Sequence, residues 1–246
     1  RSFSGPNRAE IGTTTMPVIA FANSKGGSGK TTSALLLACA LAEHKSTSII
    51  DADPRHPITT WSEMPGRPET LSVVKNVSEK TILDEIEEAA ERDAFVIVDL
   101  EGTASRLMSY AISQADLVII PMKEQQQDAV AALDVIQEIH RDMKATRRKI
   151  PYAVLFTQSR AAVKSRTARH ISSQFRDNEG IDCFKCEMHE RDAFAAVFAI
   201  GGTVAGMNSN KVNGLPNALG NIEAFRKEVI DKLRILREDG QGRDVA

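Results

Sequence analysis

The chain has 246 residues, with 31 Lys or Arg against 33 Asp or Glu and a net charge of −2. That length suits one α/β domain with a substantial core, and the near-neutral balance excludes a globally basic nucleic-acid binder, so any such contact must come from a local patch. No segment approaches the ~18 consecutive apolar residues of a membrane span, and the 3 cysteines fit a reduced cytoplasm better than a disulfide framework.

Residues 1–15 lack periodicity and end just before Met16, so they read as an expression remnant, with Met16 as the natural start. Residues 17–22 form a short apolar strand. Lys25-Gly26-Gly27-Ser28-Gly29-Lys30-Thr31-Thr32 follows, then an Ala- and Leu-rich helix over residues 33–42. A glycine loop between a strand and a helix is a phosphate-binding loop. Its backbone N–H groups converge on phosphate oxygens, and the helix adds its positive end. Lys30 then reaches the β- and γ-phosphates of a nucleotide and the Thr31 hydroxyl ligates Mg²⁺. Lys25 is surplus to that motif, and a cation there is costly unless something anionic meets it.

Residues 48–54 read as a second apolar strand ending in the carboxylates Asp51 and Asp53. Residues 95–102 read as a third, ending in Asp99, Glu101 and Gly102. Carboxylates at strand ends face the crevice where open α/β sheets bind ligands. Asp99 is the candidate Walker B acid for Mg²⁺, with Asp51 supporting the ion or the loop. Beyond lie a helix near residues 104–114, a strand over 116–121, and a long amphipathic helix over 126–144. In that helix Val130, Leu133, Val135, Ile136 and Ile139 recur at helical spacing. A strand over 151–157, a helix over 164–176, a short strand over 181–186 and a helix over 190–199 complete the alternation. Residues 201–214 are a Gly- and Asn-rich loop, 221–237 a closing helix, and 239–246 a frayed tail.

Such alternation predicts a single doubly wound, mostly parallel sheet flanked by helices, spanning residues 16–238. Cys183, Cys186 and His189 lack a second ligand pair at zinc spacing, so structural cysteines are the simpler reading. Of three basic stretches, Arg160, Lys164, Arg166 and Arg169 carry no acid until Asp177 and form the preferred DNA-facing patch. In the last helix, acids interleave with the bases. Its apolar stripe of Ile222, Phe225, Val229, Leu233 and Leu236 fits core packing better than a lipid anchor.

On the loop with its extra lysine and the two acid-ended strands, the chain resembles the ParA/MinD family of deviant Walker ATPases over its whole length from Met16. The resemblance implies that Lys25 crosses an ATP-dependent homodimer interface to the partner's nucleotide. It also implies that Asp53 positions the attacking water, and that Gly102 senses the γ-phosphate with Glu101 beside it. Thr157, Gln158 and Met188 would lie near the base. The chain departs from the family at Arg55, where Gln is usual, and at Leu100-Glu101. No glutamine or arginine finger stands in cis, so slow intrinsic hydrolysis is expected. ParA relatives bind DNA non-specifically as ATP-bound dimers, which implies a cytoplasmic protein that is nucleoid-associated with ATP. A ParB-like or relaxosome-type partner would stimulate it. The run Met188-His189-Glu190-Arg191-Asp192-Ala193-Phe194, with Arg55, Pro57, Thr60 and Trp61, is similar to VirC-type proteins of T-DNA and conjugative transfer. The loop starts nine residues after Met16, which leaves no room between them for an operator-binding helix-turn-helix. The competing readings are a MinD-like membrane-positioning ATPase and a metabolic P-loop enzyme.

Overall fold

A computed structural model describes residues 16–102, 105–160, 163–210 and 212–241. The expectations for residues 1–15 and for the last five residues of the tail lie outside the described residues. Seven strands alternate with helices: β1 Val18–Phe21, α1 Lys30–Ala42, β2 Thr47–Ala52, α2 Pro57–Ser62, β3 Leu71–Val74, α3 Ile82–Arg92, β4 Phe95–Leu100 and α4 Arg106–Gln114. They continue as β5 Leu117–Met122, α5 Gln126–Thr146, β6 Tyr152–Ser159, α6 Arg166–Arg176, β7 Met188–His189, α7 Asp192–Ile200 and α8 Leu215–Gln241. The sheet order is β3-β2-β4-β1-β5-β6-β7, and every pairing is parallel.

Strand side chains alternate between two buried layers. Ile19, Phe21, Ile49, Ile97 and Leu155 face α1, α7 and α8, while Val18, Ala20, Ile50, Val98 and Val154 face α3 to α6. Helix α1 is wedged between the sheet and α8, so it is apolar around nearly its whole circumference: every residue from Ser33 to Ala42 is buried. Phe225 of α8 closes this layer, with its ring edge-on to Phe21 at 6.5 Å and to Phe184 at 5.5 Å. The α8 stripe is therefore core: Phe225 and Val229 are fully buried and Ile222 and Leu233 nearly so.

β1 has β4 on one side and β5 on the other. The chain leaves β1 for β2 across β4, and leaves β4 for β5 across β1. The carboxyl end of β1 is thus the topological switch point, where a crevice opens between diverging connections. Register keeps the neighbouring strand ends level, pairing Phe21 with Asp99 and Asp51 with Asp99.

Three elements have no counterpart in the sequence reading. α2 is six residues begun by Pro57, β3 is four residues long, and α3 buries only Ile82, Ile86 and Ala89. The strand expected over 181–186 is reduced to a single bridge, Val154 with Cys183. The Glu228 carboxylate of α8 captures the N–H groups of Lys185 (2.7 Å) and Cys186 (2.9 Å), turning the backbone away from the sheet before β7. Helix α8 also starts earlier than expected and runs to Gln241, past the expected end at residue 237. Val130 and Leu133 do not share the buried face of α5. They are 50 % and 39 % exposed, whereas Val135, Ile136 and Ile139 are buried.

Candidate nucleotide site

The loop from β1 to α1 turns twice through left-handed backbone, at Gly27 (φ 73°) and Gly29 (φ 92°), where a Cβ is disfavoured. Gly29 is also the N-cap of α1 and brings no side-chain cap. The first N–H groups of the helix are therefore open to an anionic oxygen. Asn23, fully buried, pins the loop's start: its amide donates to Pro121 O (2.7 Å) and its Oδ1 accepts from Lys25 N (2.8 Å). From the far side β6 supports the crown. The Thr157 hydroxyl donates to Ser28 O (2.6 Å) and the Gln158 amide to Gly27 O (3.2 Å). Any Cβ on Gly29 would stand 3.1 Å from Thr157 Cβ, so the loop rests directly on that side chain.

A cleft of about 590 Å³ opens above the loop, bounded by Gly26, Lys30, Thr31, Asp53, Arg55, Glu101 and Gly102. Lys30 is 5 % exposed and donates to Lys25 O (3.2 Å). Burial pulls its ammonium below the usual lysine range, against the pull of Asp99, Asp53 and Glu101. Asp99 is fully buried near the end of β4, within electrostatic reach of Lys30 and Asp53. Burial pushes its carboxyl up to about 8, against the Thr31 hydroxyl beside it, while Asp51 and Asp53 add to the rise and Lys30 opposes it. Although Thr31 is close enough to bias it, neither Asp99 oxygen meets hydrogen-bond geometry with any described residue, and Asp51 Oδ1 is likewise unpartnered. Unpaired buried carboxylate oxygens beside a threonine hydroxyl and an open helix N-terminus fit a hard divalent cation carried in with phosphates.

Asp51 has a second task. Its Oδ2 accepts from Thr59 N (2.7 Å) in the first turn of α2, tying that helix to the end of β2. Between them the chain passes through His56 in the left-handed region (φ 51°). Asp53 Oδ1 accepts from Arg55 N (2.8 Å), which leaves its other oxygen free to face the cleft. Gly102 closes against the loop, because a Cβ there would be 3.2 Å from Gly26 N and 3.4 Å from Lys30 Nζ.

Lys25 does not stand free. Its ammonium, on a side chain 31 % exposed, pairs with the fully buried Asp128 at the start of α5. Asp128 and Asn23 were not singled out by the motif. Their only sequence signals are an acid on the apolar face of α5 and an amide just ahead of the glycines.

Of the residues expected near the base, Met188, Thr157 and Gln158 line a smaller adjoining pocket with Arg191 and Phe194. Thr157 is 2 % exposed and spends its hydroxyl on the loop, so it positions the crown. Asn221 of α8 braces this side by accepting from His189 N (3.0 Å) and donating to Glu187 O (2.7 Å). The basic patch is smaller than expected. Arg160, Arg166 and Arg169 are exposed, but Lys164 is enclosed by Glu124 Oε1 (2.6 Å) and Glu187 Oε1 (2.5 Å). Burial works against the Lys164 charge, and those two hydrogen bonds outweigh it and raise its pKa. Its charge is spent inside the fold.

The family model described as VirC1 protein matches residues 16–214. The protein named ParA from Rhizobium radiobacter is 39 % identical over 220 residues, covering 89 % of this chain and 98 % of that protein. The virC1 protein of Rhizobium radiobacter is 30 % identical over 188 residues, covering 74 % and 80 %. In fold, the chain is similar to an ATP-complexed variant of McdA from Cyanothece, with a TM-score of 0.74 at 13 % identity over 88 % of this chain and 97 % of that one.

Proposed function

The chain belongs to the VirC1 family of ParA-type deviant Walker ATPases, and from that premise we propose that it is an ATP-driven switch that positions transfer or plasmid DNA. Two copies close around two nucleotides, and the dimer holds duplex DNA without sequence preference. Hydrolysis, accelerated by a ParB-like or relaxosome-type partner, releases it. The observation that carries this reading is the meeting, at one switch point, of an uncapped helix N-terminus, the buried Lys30, the acids Asp53 and Asp99, and a second lysine in the loop, Lys25, held on Asp128.

Within the cleft, the α1 N–H groups and Lys30 bind the phosphates, and the free oxygen of Asp53 orients a water toward the outermost one. Thr31 and Asp99, with Asp51 alongside, would hold Mg²⁺, which neutralises charge developing on the phosphoryl oxygens. Asp53 shares its carboxylate with Arg55 N, and no glutamine follows Pro54, which supports slow intrinsic turnover. Arg160, Arg166 and Arg169, exposed around the start of α6, are the DNA-facing cations we propose, and Lys164 is withdrawn from the set.

The test is binding to an unrelated duplex with ATP, with ADP and without nucleotide, across a salt series, together with Lys25→Ala. The expected outcome is ATP-dependent binding that weakens steeply with salt and is lost in the variant. Absence of binding at low salt with every nucleotide would overturn the DNA reading. Anionic liposomes serve as the membrane control. Among the described residues no helix is long and apolar enough to cross a membrane, and the α8 stripe is already buried.

A further inference from the structure

Lys123 belongs to none of the motifs, yet its ammonium reaches the phosphate loop. A Cβ placed on Gly27 would stand 4.0 Å from Lys123 Nζ. The side chain is half-buried, and its ammonium has no hydrogen bond or ion pair among the described residues. The backbone that carries it is held from both sides. Asp128 Oδ1 accepts from Lys123 N (3.4 Å), while Asp128 Oδ2 takes the Lys25 ammonium. The next residue, Glu124, accepts from Lys164, and Gln125 N donates to Lys123 O (2.7 Å).

One buried carboxylate therefore sets two lysines at the same stretch of loop, Lys25 through its side chain and Lys123 through its backbone. With the Lys25 charge met by Asp128, the Lys123 ammonium is the uncompensated one beside the left-handed backbone of Gly27, and an unpaired cation there suits an arriving anion. Gly26, next to Gly27 in the cleft lining, marks the outer end of the phosphate site, because Lys30 Nζ, Gly26 N and Gly102 meet there. We propose that Lys123 is a second phosphate-facing cation of this cleft beside Lys30, lending its ammonium to the outer phosphates of ATP. This inference rests on the reading of the cleft as an ATP site.

The experiment is titration of the full chain with Mg²⁺ and either a non-hydrolysable ATP analogue or ADP, for the wild type, Lys123→Ala and Lys123→Arg. In Lys123→Ala, affinity for the ATP analogue should fall about tenfold, as expected for one charge-assisted contact. ADP affinity and the urea unfolding midpoint should stay at wild-type values, and Lys123→Arg should recover most of the loss. Unchanged affinity for the ATP analogue in Lys123→Ala, or a parallel loss for ATP analogue and ADP, would overturn the assignment. A wild type that binds neither nucleotide would instead overturn the ATP reading on which it stands.

Discussion

The two ends of the Lys25–Asp128 pair sit in different surroundings, with the lysine side chain 31 % exposed and the aspartate fully buried. That asymmetry decides what each substitution costs. Lys25→Ala leaves a buried carboxylate with only the long contact from Lys123 N, whereas Asp128→Ala leaves an ammonium that can turn to water. Lys25→Ala should therefore destabilise the nucleotide-free protein by about 1–3 kcal/mol, a value discounted for the pair's partial exposure. Lys25→Ala/Asp128→Ala should recover part of the loss. Urea unfolding of the four proteins in a double-mutant cycle measures both. At this scale Lys25 was legible from its place in the glycine motif. Asp128 was not, because the pair is 103 residues apart in sequence and an aspartate near a helix start has an ordinary local explanation.

Helix α2 carries the segment that follows Asp53, and its position is set by a contact no local pattern announces. Trp61, the only tryptophan and 1 % exposed, donates from its indole nitrogen to Gly202 O (3.0 Å), just beyond the end of α7. Helix α7 begins at the smaller pocket, where Phe194 lines the wall, and its Phe198 borders the cleft above the glycine loop. The junction has no spare room. Gly201 is at φ 84°, and a Cβ there would lie 2.5 Å from Met64 Cβ. Gly201→Ala should cost about 2–4 kcal/mol through backbone strain and overpacking. The emission of Trp61 should shift toward the red as the indole meets water. Thermal unfolding and tryptophan fluorescence check the two effects together. Helices α1, α5 and α8 were readable because their length makes the apolar pattern unmistakable. By contrast, α2 and β3 are too short for periodicity to separate them from loop.

Across the whole molecule, segments distant in sequence are joined at the edge of the sheet by one ion network. Glu124 follows β5, Lys164 precedes α6, Arg176 ends α6 and Glu187 precedes β7, with Arg176 Nη2 3.0 Å from Glu187 Oε1. Burial tends to raise the Glu187 carboxyl, but hydrogen bonds and charge from Lys164, with Ser159 and Arg176, outweigh it and hold it below the usual glutamate range. A carboxyl depressed in the folded state contributes stability above its unfolded pKa and loses it as pH falls through the folded value. Glu187→Gln should thus be less stable than wild type by about 1–3 kcal/mol at pH 7. The gap should narrow once pH falls below the ordinary glutamate value of about 4.3 and close as it passes through the lower folded value, as read from urea midpoints over a pH series. The alternation of strands and helices, the phosphate loop and the acids ending β2 and β4 were determined by the sequence itself, since each is a short-range pattern with its own backbone chemistry. Which charges remain available was decided only by the tertiary structure. Lys164 looked free and is enclosed by Glu124 and Glu187, Lys25 is held on Asp128, and Lys123, unremarkable in sequence, stands at the glycine crown. Whether a charge is spent or free depends on neighbours that only the folded sheet order brings within a few ångströms.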